Sequence, residues 1–193
     1  MKKFFAVLAL AGFAFTGAAV CSAQDMKMDK MDKNPMVGGA PMYPNKDIVD
    51  NAVNSKDHTT LVAAVKAAGL VDTLKSAGPF TVFAPTNDAF AKLPAGTVDT
   101  LLKPENKDTL VKVLTYHVVA GRLSAQALRK QIKAGHGTAE LKTVSGGKIW
   151  IMANGKDAIT IKDEKGGVSN VTISNVFQSN GVIHVVDTVL LPQ

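Results

Sequence analysis

The sequence predicts an α+β fold, because helical periodicity dominates its first half and strand-length alternation dominates its C-terminal part. Apolar residues recur at helical spacing in several segments between residues 45 and 133, with a strand-like run among them. From residue 139 onward, short apolar or alternating runs are separated by glycine-containing turns, which is typical of antiparallel hairpins. Helices followed by antiparallel strands favour an α+β domain over a wound parallel sheet.

The predicted helices begin and end at capping residues. Asn45 is a suitable N-cap for a first helix, and a second helix that includes residues 61–68 ends where Gly69 supplies a C-cap. Pro104 opens what is predicted to be the longest helix, because proline is favoured in the first turn. A further helix is expected at Ser124–Lys133.

The predicted strands are bounded by proline and glycine. Residues 80–83 form a strand that Ala84-Pro85 ends, and Thr86 then caps a short helix. The strands of the C-terminal part are expected at residues 139–144, 148–153, 158–162, 171–176 and 182–190, with turns at Gly146-Gly147, Asn154-Gly155 and Gly166-Gly167.

Residues 1–23 have the composition of a secretory signal peptide. Two lysines precede an apolar run from residue 4 to about residue 15, and Cys21-Ser22-Ala23 provides a cleavage site before Gln24. The run is shorter than the ~20 residues that span a bilayer, so no integral membrane segment is expected after removal of the signal. We therefore expect a secreted protein, either periplasmic or extracellular.

Cys21 leaves two alternatives open. Lipoproteins carry a lipidated cysteine just after the signal peptide, but the residue before it is normally small, and here it is Val20. If cleavage follows Ala23, the single cysteine of the sequence is removed and the mature chain has no thiol for a disulfide. Its stability must then come from a hydrophobic core, for which residues 45–193 are long enough as one domain.

Residues 24–44 are predicted to be a disordered linker. The segment has no apolar periodicity, and its prolines and glycines break any helix. Because thioethers are ligands for Cu(I), Met26, Met28 and Met31 are candidates for a soft-metal site. The alternative is that methionine is simply tolerated in a spacer. Met36 and Met42 are the other methionines of the predicted linker.

The sequence contains no motif of a catalytic or cofactor site. It has no G-x-S-x-G elbow, no H-E-x-x-H helix, no phosphate-binding loop and no dinucleotide fingerprint, so no cofactor is expected. His117 and His184 lie in apolar runs and are expected to be hydrogen-bonded core residues. His58 is expected to face solvent at a helix start, and His136 to lie in a loop.

The charged residues indicate no catalytic pair and no nucleic-acid site. Asp187 lies in an otherwise apolar strand and is expected to bond a neighbouring loop, whereas Asp163-Glu164 is predicted to be a charged hairpin tip. The net charge of +6 is scattered apart from one cluster without interleaved aromatic residues, which favours a solvated helix face over nucleic-acid binding. The cluster consists of Arg122, Arg129, Lys130 and Lys133.

Three segments resemble the signatures of one family. TVFAPTNDAF at Thr81–Phe90, LTYHVVAG at Leu114–Gly121 and NGVIHVVDTVLLP at Asn180–Pro192 are similar, in this order and spacing, to fasciclin-like (FAS1) domains. The resemblance covers residues 46–193 and is closest to single-domain secreted bacterial members. The signature positions are expected to be structural: Thr86, Asn87, Tyr116, His117, Asn180, Gly181, His184 and Asp187.

The resemblance implies a wedge of two twisted β-sheets with helices packed around it. It also implies an adhesion module without catalytic activity, binding a cell-surface or matrix protein or polysaccharide, and we expect a monomer. Animal matrix members carry an Asp-Ile pair associated with integrin recognition where this sequence has Asn175-Val176, so integrin-type binding is not expected. The Asp47-Ile48 pair is instead expected to be a helix start and a core residue.

These sequence features leave three hypotheses for the function of the protein, each from a different class. The leading hypothesis is a cell-surface or matrix binding module. The second is handling of a soft metal by Met26, Met28 and Met31. The third is a hydrolase that uses His117 or His184, which would require an accessible imidazole next to an acid and a nucleophile.

Overall fold

The computed structural model describes residues 34–155 and 158–193. The predicted signal peptide at residues 1–23, and residues 24–33 of the predicted linker, lie outside the described residues. Within the described ranges, no helix is long and apolar enough to cross a membrane. A compact unit extends from Asn34 to Gln193.

Residues 36–42 are packed against the core, contrary to the prediction of a disordered linker up to residue 44. Two short strands, β1 (Met36–Val37) and β2 (Ala40–Pro41), pair in an antiparallel hairpin. Gly38 and Gly39 both have positive φ, which allows the tight reversal between them. Val37 and Met42 are buried in the core cluster, so this part of the segment belongs to the domain.

Seven helices are described, and their caps explain most of their bounds. Asp47, rather than the predicted Asn45, caps the first helix by accepting from the Asp50 amide, and Gly69 ends the second in the left-handed conformation. Thr86 and Ser124 cap later helices as expected. The helices are α1 (Ile48–Ala52), α2 (Thr59–Ala68), α3 (Val71–Lys75), α4 (Asn87–Ala91), α5 (Thr97–Leu101), α6 (Lys107–Tyr116) and α7 (Ala125–Ala134).

Two short helices were missed, and the start of α6 was misplaced as well as that of α1. The five-residue helices α3 and α5 show too little periodicity to be found by pattern. Pro104 begins a 3₁₀ turn at Pro104–Asn106, and α6 starts only at Lys107. α6 has ten residues, the same length as α2 and α7, so it is not the longest described helix.

Seven further strands form one mixed sheet in the order β4-β3-β9-β8-β7-β6-β5. Neighbours are antiparallel except for β3 and β9, which run parallel in register from Phe80 opposite Gly181 to Pro85 opposite Val186. This pairing joins the predicted early strand to the C-terminal hairpins. The strands are β3 (Phe80–Pro85), β4 (Val118–Ala120), β5 (Thr138–Lys142), β6 (Lys148–Asn154), β7 (Ala158–Lys162), β8 (Val168–Gln178) and β9 (Gly181–Val186).

The eleven-residue strand β8 divides this sheet into two halves. Residues 168–170 pair with β7, whereas residues 171–178 pair with β9, with irregular register around Ile173. Irregular pairing of this kind bends and twists a strand. At the other end the sheet edges approach each other, because Val119 of β4 forms a bridge with Thr143 just after β5. The predicted α+β class is confirmed.

Two apolar clusters fill the domain. One lies between the helices and β3 and β9, and includes Ile48, Leu61 and Leu110. The other lines the inner face of β5, β6 and β7 and is closed by Leu128 and Ile132 of α7. The strict alternation of β6, with Ile149 and Ile151 fully buried, separates this inner face from an outer face that contacts solvent.

Candidate functional site

His117 ends α6 and is buried, with 3% of its surface exposed. Its Nδ1 donates to the Val113 carbonyl at 2.8 Å, and its Nε2 accepts from the Leu190 amide at 2.9 Å. Because a carbonyl can only accept and an amide N–H can only donate, the ring must be neutral with its proton on Nδ1. Burial lowers the pKa of His117 to about 4, although the Val113 carbonyl and Asp163 oppose this effect.

Tyr116 is fully buried beside His117. Its hydroxyl connects the end of α6 to β6 and to the turn between β7 and β8. Its hydroxyl donates to the Lys148 carbonyl at 2.6 Å and accepts from the Glu164 amide at 3.1 Å. Burial raises the pKa of Tyr116 to about 12, so the phenol keeps its proton at physiological pH. Gly147 lies so close that a Cβ there would be 2.7 Å from the tyrosine ring.

His184 of β9 is also fully buried, and its ring stacks on Phe83 with 5.7 Å between ring centroids. Nε2 donates to the Leu123 carbonyl at 2.8 Å, and Nδ1 accepts from the Asn175 amide at 3.4 Å. Burial lowers the pKa of His184. Both buried histidines therefore have both ring nitrogens bonded to backbone groups, which contradicts the hydrolase hypothesis that used them.

Asn175 adopts a positive φ of 62° and bonds the start of α7. Its Oδ1 accepts from the Ala125 amide at 2.7 Å, so it acts as a second cap for that helix. The resemblance to FAS1 domains matches Asn175 to the integrin-associated aspartate of animal matrix members, and here the Asn175 side chain bonds the start of α7.

Asn180 joins three elements through one amide side chain. Its Oδ1 accepts from the Ile48 amide at 3.1 Å, and its Nδ2 donates to the Leu74 carbonyl at 2.7 Å and the Ser76 carbonyl at 3.1 Å. A Cβ on the next residue, Gly181, would overlap the Phe80 carbonyl. The pair therefore does more than the expected turn, since it fixes α1 and α3 against the sheet.

Thr86 and Asn87 serve different helices. Thr86 Oγ1 accepts from the Ala89 amide at 3.2 Å and caps its own helix, as expected. Asn87 Oδ1 accepts from the Thr60 amide at 3.0 Å, and its Nδ2 donates to the Lys56 carbonyl at 2.9 Å. Asn87 thus supplies the N-terminal bond that α2 does not obtain from its own N-cap residue.

Asp187 bonds the beginning of β8 rather than a loop. It accepts from the Asn170 amide at 2.8 Å and from the Ser169 hydroxyl at 3.3 Å. Burial acts to raise the pKa of Asp187, but hydrogen bonds from Asn170 and Thr188 outweigh it and hold the pKa below its usual range. The signature side chains therefore bond backbone groups and neighbours across the domain, which supports a structural role for them.

Asp163 is buried, contrary to its predicted place at an exposed hairpin tip. One carboxylate oxygen accepts from the Gly167 amide at 2.6 Å and the Lys165 amide at 3.0 Å, and the other accepts from the Leu191 amide at 2.9 Å. The flanking lysines concealed this role in the sequence, because they made the segment resemble a solvated turn.

His58 is also buried, with 3% exposure, so the prediction that it faces solvent is wrong. The 3₁₀ turn at Lys56–His58 directs the ring inward, where Nδ1 lies 2.9 Å from the Ser55 hydroxyl. Nε2 has no hydrogen-bond partner, the one such buried side-chain atom among the described residues. His136, by contrast, is exposed between α7 and β5, in the loop expected for it.

An apolar cavity of about 70 Å³ lies between the helices and β3, and His58 contributes to its lining. The remaining lining is mostly aliphatic, including Ile48, Leu61 and Val82, and it also contains Phe80, Phe83 and His117. The sequence marks these residues only as core positions, so no pattern predicts that they enclose a space.

The outer face of the β5–β8 half-sheet carries a shallow groove around Trp150. Trp150 is half-buried on β6, with Glu140 and Lys162 opposite it on the neighbouring strands. Met152 and the hairpin residues 163–166 line the same groove. Trp150 is the single tryptophan of the sequence, and motif searches missed it because it belongs to no signature.

The predicted soft-metal site, Met26, Met28 and Met31, falls outside the part of the chain that the structure describes. Met42 is a core residue with 2% exposure, whereas Met36 is 57% exposed. Across residues 34–155 and 158–193, no group of three or more histidine, cysteine or acidic side chains is arranged to hold a metal ion.

Comparison with known proteins gives consistent matches. The family model described as Fasciclin domain matches residues 56–192. Protein sll1483 of Synechocystis is 45% identical over 194 aligned residues, covering 98% of this chain and 96% of that protein. The cell surface glycolipoprotein MPB83 of Mycobacterium bovis BCG is 37% identical over 166 residues, covering 83% of this chain and 67% of that protein.

A solved structure has the same fold. It is a FAS1 domain pair from the insect cell adhesion molecule fasciclin I, with a TM-score of 0.55 and 22% identity. The match covers 73% of this chain and 45% of the insect chain.

Proposed function

The chain belongs to the fasciclin domain family, and from this membership we propose that it is a non-catalytic binding module outside the cytoplasm. Its partner would be a protein or polysaccharide of a cell surface or matrix. One relative is described as a cell surface glycolipoprotein, and the structural neighbour comes from a cell adhesion molecule. Secretion through the signal peptide at residues 1–23, with cleavage before Gln24, and a monomeric state are parts of this proposal.

The observation that carries the proposal is the groove around Trp150. Tryptophan is enriched at protein interfaces because its ring offers a large apolar surface and an N–H donor. Here the ring is half-buried on a sheet face that also carries Met152, beside Lys162 and near the ion pair of Lys148 with Glu140 at 2.9 Å. An aromatic contact with a charged rim is the usual composition of a binding surface.

The interior supports a binding role over catalysis. His117 and His184 have their ring nitrogens occupied by backbone groups. Burial also lowers the pKa of both rings, so neither is poised for proton transfer near neutral pH.

The test measures retention of the purified protein on immobilised cell-envelope protein and on immobilised envelope polysaccharide. Titration with soluble polysaccharide, which contributes no tryptophan emission, also follows the fluorescence of Trp150, the single tryptophan of the sequence. We expect saturable retention on one of these fractions and its loss in Trp150→Ala. Val168→Ala removes an exposed apolar side chain of the same half-sheet outside the groove and should bind normally.

Two outcomes would contradict the proposal. The first is that neither fraction retains the protein. The second is that Trp150→Ala is retained as well as the unaltered protein, which would move the contact surface away from the groove.

A further inference from the structure

We infer that the apolar cavity beside His58 is a binding site for a single aliphatic chain that carries one uncharged acceptor oxygen, such as a fatty alcohol. This site is separate from the groove around Trp150, and its lining includes Val82 and Ala84 of the Thr81–Phe90 segment as well as His117. Three features of the site select this ligand: the size of the cavity, its lining and the unpartnered nitrogen of His58.

The size of the cavity selects a narrow chain. Its volume is about 70 Å³, whereas an apolar cavity of roughly 150 Å³ is known to bind benzene. The space is about half as large, so a narrow run of methylene groups fits it better than a ring. Several lining residues reach solvent, including Lys66 and Thr73, so the cavity has an opening through which a longer chain can extend.

The lining selects an apolar ligand. Leu61 and Val65 of α2, Leu74 of α3, and Val82 of β3 present only aliphatic groups to the cavity. A space of this kind does not hold water well, because a buried water needs two to four polar partners. An aliphatic chain would instead gain the contacts that an empty cavity forfeits.

The unpartnered nitrogen of His58 selects the polar end of the ligand. The buried Ser55 hydroxyl lies 2.9 Å from His58 Nδ1, and we assign the hydroxyl as the donor, which places the ring proton on Nε2. The Ala84 carbonyl faces the ring as a backbone acceptor and opposes the lowering of the pKa of His58 by burial, but its contact with Nε2 does not reach hydrogen-bond geometry, so Nε2 has no well-formed partner. A buried donor without a partner is rare and costly, and a ligand oxygen would satisfy it.

The charge around the cavity selects an uncharged oxygen. Burial lowers the pKa of His58, so the ring is neutral at pH 7 and cannot pair with a carboxylate. The one lining cation is Lys66, which is exposed rather than buried with the ring. Burying a carboxylate next to a neutral imidazole would be costly, whereas a hydroxyl or carbonyl oxygen carries no such penalty.

The experiment is an NMR titration of the purified protein at pH 7.5 with 1-octanol and, separately, with sodium octanoate. We expect 1-octanol to saturate one site, to shift methyl resonances of Leu61, Val65 and Leu74, and to shift the Nε2 resonance of His58. Octanoate has nearly the same chain and should bind at least about tenfold more weakly.

The matched variants are His58→Phe, which keeps a ring but removes the donor, and His136→Phe, which changes an exposed loop histidine. Loss of one hydrogen bond should weaken 1-octanol binding about threefold to tenfold in His58→Phe and leave it unchanged in His136→Phe. Trp150→Ala should also bind 1-octanol normally, which separates this site from the proposed partner surface.

The inference would be overturned if 1-octanol caused no saturable shifts, or if the shifts lay outside the cavity lining. Equal affinity for octanol and octanoate would overturn the assignment of an uncharged acceptor. If His58→Phe does not fold, the Nε2 resonance of the unaltered protein tests the proposed hydrogen bond instead. If 1-octanol does not shift that resonance, the hydrogen bond is contradicted.

Discussion

The Nε2 atom of His117 accepts a hydrogen bond from the Leu190 amide at 2.9 Å, across 73 positions of sequence. This bond attaches the segment after β9 to the end of α6. Asp163 binds the adjacent Leu191 amide, also at 2.9 Å, so two buried polar side chains hold the C-terminal segment. The arrangement requires a neutral His117 ring with its proton on Nδ1.

Stability should fall with acid as His117 is forced to accept a proton. Its folded-state pKa of about 4 lies below the unfolded value of about 6.5. The contribution of the neutral ring is therefore complete above pH 6.5 and is lost as pH falls towards 4, by about 3 kcal/mol in all. This loss of stability is measured by urea unfolding of the unaltered protein and of His117→Ala at pH 7 and at pH 4. The difference between them should shrink by about this amount; a difference independent of pH would contradict the prediction.

His117→Ala should destabilise the domain at pH 7 without altering binding. The substitution leaves the Leu190 amide and the Val113 carbonyl without their side-chain partner and creates a cavity. The expected loss in free energy of unfolding is about 2–4 kcal/mol. Envelope retention of the folded fraction should be unchanged. A variant that kept its melting temperature but no longer bound would place His117 in a functional site instead.

Tyr116→Phe should cost stability through its hydroxyl alone. The change keeps the ring but leaves the Lys148 carbonyl and the Glu164 amide without this partner, which should cost about 1–3 kcal/mol. Tyr43→Phe is the matched control, because Tyr43 is the other tyrosine and is not buried; its effect should stay within about 0.5 kcal/mol. Chemical denaturation monitored by circular dichroism compares the two, and equal effects would argue against the hydroxyl bonds.

Met42→Ala tests where the folded domain begins. Met42 has 2% exposure and packs in the core cluster, so its truncation should lower the free energy of unfolding by about 2–5 kcal/mol. Met36→Ala removes a side chain that is 57% exposed, and it should change the free energy of unfolding by less than about 0.5 kcal/mol. Thermal unfolding of both variants provides the comparison. Two neutral substitutions would show that the domain starts after this segment.

Much of the local structure could be predicted because its determinants are local. Gly69, Thr86 and Ser124 cap helices as expected, since a cap depends on a few neighbouring residues. The strand predicted at residues 158–162 coincides with β7 for the same reason, because alternation and flanking turns define it. The burial of His117 and His184 followed from the apolar runs that contain them.

The errors occur where a residue's environment depends on distant parts of the chain. Asp163 and His58 are polar and have charged neighbours in the sequence, so the sequence predicted that both side chains contact solvent. Met42 lies in a segment without periodicity, and its burial depends on a hairpin turned by Gly38-Gly39 against the core.

The sequence alone thus determined the family, the α+β class and most helix and strand positions, because these depend on local periodicity, capping and signature motifs. Tertiary structure alone decided that β3 lies parallel to β9, that Asn180 bonds Ile48 across 132 positions, and that His58 borders an apolar cavity. Such relationships join residues far apart in the chain, and no local pattern encodes which distant donor meets which acceptor.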